Sequence, residues 1–150
     1  MKVLVATDGS DDAVEAATRG LGLLDAPSEV ILLSVVHTPT VVSSGMESGF
    51  AGGMVTPEVV DAAWAAAKEE ADRCIDDTVA ALGEDLPLTR RIETGEPGLA
   101  IIDAAKELDV DVIVIGSRGR GAIRRALLGS VSSHVVHNAP CPVLVIRLRS

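Results

Sequence analysis

Five short runs of aliphatic, largely β-branched residues recur along this chain, each separated from the next by a segment long enough for a helix. They are Lys2 to Thr7, Glu29 to Val36, Leu86 to Glu93, Val110 to Ile115 and Pro142 to Leu148. The first, second and fourth are nearly continuous in apolar residues, as in strands covered on both faces. The third is more polar, which suits a sheet edge. Between them the apolar residues fall at three- and four-residue steps: Val14, Ala17, Leu21 and Leu24; then Val60 through Ala67, Ala71, Cys74 and Thr78 to Leu82; then Ile101, Ile102, Ala105 and Leu108. Such steps mark one buried helical face each. The alternation βαβαβαβαβ predicts a mostly parallel open α/β sheet of five strands, with helices on both faces and right-handed crossovers. A strand order of 3-2-1-4-5 then sets the first and fourth strands side by side, their outgoing connections on opposite faces. Open α/β sheets take their ligands in the crevice at that switch point.

The punctuation agrees. Ser10 is a candidate N-cap followed by Asp11, Asp12 and Glu15, and Asp25-Ala26-Pro27 ends that helix. Thr56-Pro57-Glu58 and Gly95-Glu96-Pro97-Gly98 open two more helices, and Asn138-Ala139-Pro140 stops the last. Thr38 to Val55 breaks the rhythm: it is rich in glycine and serine, has no periodicity, and is too long for an ordinary connection. We read residues 38–56 as a mobile loop or lid within a single domain spanning 1–150.

No apolar run approaches the ~20 residues needed to cross a membrane, and the chain enters a strand without a signal-peptide pattern. A cytoplasmic protein is expected, with Cys74 and Cys141 as free thiols, since they form no C-x-x-C pair. The net charge of −9 is unevenly spread: all 22 acidic residues lie at or before Asp111, and six arginines follow it. An acidic body with one basic region argues against nucleic acid as a partner and suits a small anionic ligand.

The most informative stretch follows the fourth strand: Gly116-Ser117-Arg118-Gly119-Arg120-Gly121, then Ala122 to Leu128, then Gly129-Ser130-Val131-Ser132. Glycines admit close approach to backbone N–H groups, and a helix beginning near Ser130 adds unpaired donors, so the stretch can cradle a phosphate. The hydroxyls of Ser130 and Ser132 lie where terminal phosphate oxygens would sit. The spacing G-x2-G-x9-G-S lacks the lysine of a G-x4-G-K-[ST] loop and stands after the fourth strand, not the first as a Rossmann fingerprint would. The glycines could also serve only to shape a long loop.

With Val3-Leu4-Val5-Ala6-Thr7-Asp8-Gly9-Ser10, Gly95-Glu96-Pro97 and Cys141-Pro142-Val143-Leu144-Val145-Ile146 in order around it, this spacing resembles the universal stress protein family, in particular its ATP-binding branch. The resemblance covers nearly the whole chain. It implies a fold of the flavodoxin-like, adenine nucleotide alpha hydrolase-like kind, with ATP (or ADP or AMP) and Mg²⁺ as ligands. It also implies that Ala6, Thr7 and Asp8 line an adenine and ribose slot and that main-chain groups of Val35 read the base edge. Gly116, Ser117, Arg118, Gly119, Gly129, Ser130, Val131 and Ser132 complete the expected site. Asp8 either accepts from ribose or faces a phosphate-bound Mg²⁺, or it is a turn-forming aspartate bonding local backbone. Arg118, Arg120, Arg124 and Arg125 either meet phosphates or form a solvated face.

Trp64 is expected to pack on the second helix, and His134 and His137 to pack or face solvent; no protein metal site is expected. An apolar edge at Val143 to Ile146 invites pairing with a second copy, a homodimer that the resemblance also implies. The favoured function is nucleotide-dependent stress response or signalling. Slow ATP hydrolysis or phosphoryl transfer would need a base or positioned water and charge neutralisation at the transferred phosphate, for which Asp8 and the arginines are the only candidates. A scaffold that keeps the fold without the ligand is the remaining reading.

Overall fold

A computed structural model describes residues 1–37, 56–83, 85–119 and 128–147. The elements run β1 (Lys2–Ala6), α1 (Asp11–Leu21), β2 (Glu29–Val36), α2 (Pro57–Leu82), β3 (Leu88–Thr94), α3 (Pro97–Glu107), β4 (Val112–Gly116), α4 (Ser130–Asn138) and β5 (Val143–Ile146). The five strands form one parallel sheet in the order β3-β2-β1-β4-β5, as expected. The lid expected over residues 38–56 lies outside the described residues, except Thr56, which caps α2.

The continuous apolar runs conceal a period of two. Val3, Val5, Val30, Leu32, Val112 and Val114 point to one face, where Ala16, Ala17 and Leu21 of α1 and Ile75 of α2 cover them. Leu4, Ala6, Ile31, Leu33, Ile113 and Ile115 point to the other, under Ile101, Ala104 and Ala105 of α3 and Val135 of α4. Neither face of the central strands meets water, which is why each strand reads as unbroken hydrophobic sequence.

Helix ends follow their local chemistry. Ser10 Oγ accepts from Ala13 N–H at 3.2 Å, and Asp11 and Asp12 sit in the first turn of α1. That helix stops at Leu21, short of the expected Leu24; Leu24 instead packs on the core from the turn beyond Gly22. β3 begins two residues late, at Leu88, whose N–H folds back to the Leu86 carbonyl at 2.8 Å across Pro87, which has no N–H to give. As an edge, β3 is dressed in ion pairs: Arg90 with Asp76, and Arg91 with Glu93 and, at 2.7 Å, Glu107.

The approach of α1 to the sheet depends on Gly20, where a Cβ would collide with Cγ1 of the fully buried Val114. Alanine there gains about 1 kcal/mol of helix propensity. Overpacking a close-fitted core costs about 1–3 kcal/mol. Gly20→Ala should therefore lose stability by about 1 kcal/mol net in urea unfolding, against the usual sign for glycine-to-alanine in a helix.

Candidate functional site

β1 and β4 are neighbours, with Ala6 opposite Ile115, while α1 covers one face and α4 the other. Their carboxyl ends form the switch point where the crevice is expected. The first wall is the turn after β1. Thr7 N–H makes the last ladder bond, 2.9 Å to the Leu33 carbonyl, and Gly9 then turns the chain with φ of +70°. Asp8 Oδ1 accepts from Ser10 N–H (3.1 Å) and from the Ser10 hydroxyl (2.6 Å), so this oxygen is turn-forming. Oδ2 faces the other wall, for a Cβ placed on Gly119 would lie 2.6 Å from it. Two segments over a hundred residues apart in sequence thus meet at the carboxylate.

The second wall is the glycine stretch, stapled at its base. The Ser117 carbonyl accepts from Gly129 N–H (2.7 Å) and from the Ser132 hydroxyl (3.0 Å), tying the start of α4 to the end of β4. Ser117 is itself anchored by its N–H to the Ile146 carbonyl at 2.8 Å. Gly116 is buried within β4, where a Cβ would lie 3.1 Å from the Arg118 carbonyl. Gly129 is the N-cap of α4, and the first intrahelical bond runs from Ser133 N–H to its carbonyl. The N–H groups of Ser130, Val131 and Ser132 precede that bond, as first-turn donors do. Ser130 is exposed and Val131 half-buried, whereas Ser132 is buried, its hydroxyl proton shared between the Ser117 and Gly129 carbonyls. The side chain of Ser132 and the N–H of Gly129, both expected to face phosphate, are therefore spent on closing the loop.

Val35 lies two residues past the last bond between β2 and β1. Residues alternate their backbone groups between neighbouring strands, and Leu33 bonds β1 while Val36 bonds Gly95 on the β3 side. Val35 therefore turns its N–H and carbonyl toward the gap that β1 leaves when it turns away at Thr7. Ala6 and Thr7 are buried at the same edge, and Arg118 is half-buried beside Gly119. The structure thus brings together Ala6, Thr7, Asp8, Gly116 to Gly119 and Gly129 to Ser132, with Val35 one strand away. Arg120, Arg124 and Arg125 lie outside the described residues.

His134 packs its ring on Gly98, where a Cβ would lie 2.8 Å from Cδ2, and His137 Nδ1 lies 2.7 Å from the Ser133 carbonyl. Trp64 is half-buried on α2. Sequence reasoning missed two contributors: Cys74 and Thr78 of α2, which bond the turn after β1. Cys74 lies 66 residues from its partner Asp8, and Thr78 lies 71 from Thr7, so neither leaves a local signal. A polar pair one turn apart on an otherwise buried face was the available hint.

A doubly wound parallel sheet with a glycine-rich stretch at its switch point defines an open α/β domain. Within that class, the model of the Universal stress protein family matches residues 1–147, and the chain belongs to this family. Universal stress protein YxiE of Bacillus subtilis is 32% identical over 149 residues, covering 97% of this chain and 98% of its own. The solved structure of the protein MJ0577 superposes with a TM-score of 0.79 at 28% identity, covering 99% of this chain and 96% of that one. The same fold recurs in a universal stress protein in complex with cAMP (TM-score 0.63, 24% identity, 98% and 96% covered). It recurs again in an Arabidopsis thaliana family member with AMP bound (TM-score 0.63, 21% identity, 100% and 93% covered).

At the rim of the sheet Glu96 caps α3, accepting from Leu99 N–H at 2.8 Å and Gly98 N–H at 3.2 Å. The bond from Leu99, foremost, holds its carboxyl below the usual glutamate range against the opposing pull of burial; Gly98, His134 and His37 help. A depressed value means stability that is present above the unfolded-state range and lost as pH falls through the folded one. Glu96→Ala should cost about 0.5–1 kcal/mol at pH 7, as exposed caps do. The gap to wild type in thermal unfolding should shrink as the buffer is taken down through the glutamate range.

Proposed function

We propose that this protein binds an adenine nucleotide, ATP with Mg²⁺ foremost and ADP or AMP also, in the crevice between β1 and β4. In this reading it acts in the cytoplasm as a stress-response or signalling dimer whose partner surface follows nucleotide occupancy. Gly129 carries the proposal. Its φ is −73°, and among the described residues a Cβ there would meet nothing closer than 3.5 Å, so these residues give no steric reason for glycine. A bare backbone at the start of a helix, beside first-turn N–H groups, is what an approaching anion needs.

The phosphates then lie on the N–H groups of Ser130, Val131 and Ser132 and the hydroxyl of Ser130, with Gly119 and Arg118 alongside. One charge at a helix N-terminus gains only about 0.3–1 kcal/mol, so a triphosphate requires these several donors and a cation. The base sits over Ala6 and Thr7 against the outward backbone edge of Val35, and Asp8 faces the ribose or the phosphate-bound Mg²⁺. Family members with cAMP and AMP share this fold, which supports an adenine ligand. Binding is favoured over hydrolysis because Asp8 Oδ1 is committed to Ser10 and is poorly disposed to act as a base. No helix among the described residues is long and apolar enough to cross a membrane. Neither a membrane nor nucleic acid is proposed as a partner.

Mg-ATP at a hundred times its dissociation constant should stabilise the protein by about 2.7 kcal/mol, read as a rise in melting temperature. Gly129→Val should abolish that rise while leaving the unliganded melting temperature little changed. An unshifted wild type would favour the ligand-free scaffold.

The dimer would form through β5, whose outer edge is unpaired in the sheet. An open groove of roughly 490 Å³ beside it, bounded by Arg19 and the exposed Leu23, adds apolar surface. Pro142 and Ile146 give their carbonyls to β4, so the alternation turns Val145 N–H outward. Val145→Pro removes that outward donor without cutting a bond to β4. Sedimentation should show the variant as a folded monomer where the wild type is a dimer.

A further inference from the structure

α2 has four buried residues among those described: Ala71, Cys74, Ile75 and Thr78. Ala71 and Ile75 are ordinary core residues. The two polar ones both reach the turn that follows β1, and they hold opposite ends of one peptide group.

The Asp8–Gly9 peptide has a carbonyl oxygen, from Asp8, and an N–H, from Gly9. Cys74 Sγ donates to the Asp8 carbonyl at 3.0 Å. Gly9 N–H donates to Thr7 Oγ1 at 3.1 Å, and Thr7 Oγ1 lies 2.9 Å from Thr78 Oγ1. Thr78 in turn donates to the Cys74 carbonyl at 2.8 Å. Each hydroxyl has a single proton, so the direction of the relay is fixed. Thr78 spends its proton on Cys74, hence Thr7 gives its own to Thr78 and accepts from Gly9. Thr78 is fully buried and Thr7 6% exposed, so water offers no substitute for either partner.

Glycine populates positive and negative φ about equally, so Gly9 cannot by itself hold this plane in one orientation. The clamp from α2 does. Its closeness also explains why glycine stands there: a Cβ on Gly9 would lie 2.8 Å from both Cα and Sγ of Cys74. Asp8, whose carbonyl the clamp holds, also carries the carboxylate whose Oδ2 faces Gly119. We propose that Cys74 and Thr78 are positioning residues for the nucleotide site, clamping the Asp8–Gly9 peptide so that the Asp8 carboxylate meets the glycine stretch. The inference rests on the nucleotide reading above for its functional part only; the clamp itself is a property of the ligand-free chain.

The test uses the full-length protein and two readouts. In the ligand-free chain, amide exchange of Gly9 followed by NMR should accelerate at least tenfold in Thr78→Val, while residues 112–116 of β4 exchange as in wild type; Thr78→Ser, which keeps the hydroxyl, should restore slow exchange. By calorimetry, Mg-ATP should bind Thr78→Val about tenfold more weakly, the loss expected for one buried hydrogen bond, with recovery in Thr78→Ser. Cys74→Ala and Cys74→Ser provide the same contrast at the carbonyl end should the valine variant fail to fold. Unchanged Gly9 exchange in the folded valine and alanine variants overturns the clamp whatever the nucleotide does. Accelerated exchange with undiminished ATP affinity overturns its role in the site. Accelerated exchange together with no ATP binding by wild type leaves the clamp standing and overturns the nucleotide reading instead.

Discussion

The parallel pairing of β1 with β4, from Val3 opposite Val112 to Ala6 opposite Ile115, is the constraint on which the functional end of this molecule depends. It joins strands that are distant in sequence and sends their following helices to opposite faces. Neither helix then covers the shared carboxyl edge, and a crevice results from connectivity alone. Without that register, Asp8 and Gly119 would have no reason to approach, and the glycines would be a surface loop with no facing wall.

The site is held by carbonyls as much as by side chains. The Ser117 carbonyl gathers Gly129 N–H and the Ser132 hydroxyl and so fixes the start of α4 at the end of β4. The Asp8 carbonyl takes the Cys74 thiol and so fixes the facing turn to α2. Each bond contributes only about 0.5–1.5 kcal/mol net. Their value lies in orientation: first-turn N–H groups serve an anion only if the helix axis is aimed at it, and aiming α4 is what the Ser117 junction does.

The fold was legible because each level of the sequence agreed with the next: strand runs, helical faces, caps and the alternation of elements all implied one doubly wound sheet. The site was legible in part. Topology accounts for the turn after β1 meeting the glycine stretch, with Asp8 facing Gly119 and Gly129 lying against Ser117 and Arg118. The pattern did not reveal that Ser132 and the Gly129 N–H would turn inward, because a serine in the first turn of a helix reads alike whether it faces a ligand or the preceding strand. Leu24 kept the helical period while the helix had already ended, since a turn can carry an apolar side chain back onto the core. Cys74 and Thr78 obeyed the helical period so well that they passed for packing, and only coordinates could bring them to Thr7 and Asp8.

The two rims of the sheet are unlike. Both are edge strands, but β3 carries Arg90 and Arg91, each paired with carboxylates on its own molecule, while β5 carries aliphatic side chains. In the dimer proposed above, joined through β5, both outermost borders would be the charged β3 strands, a character that discourages further strand pairing.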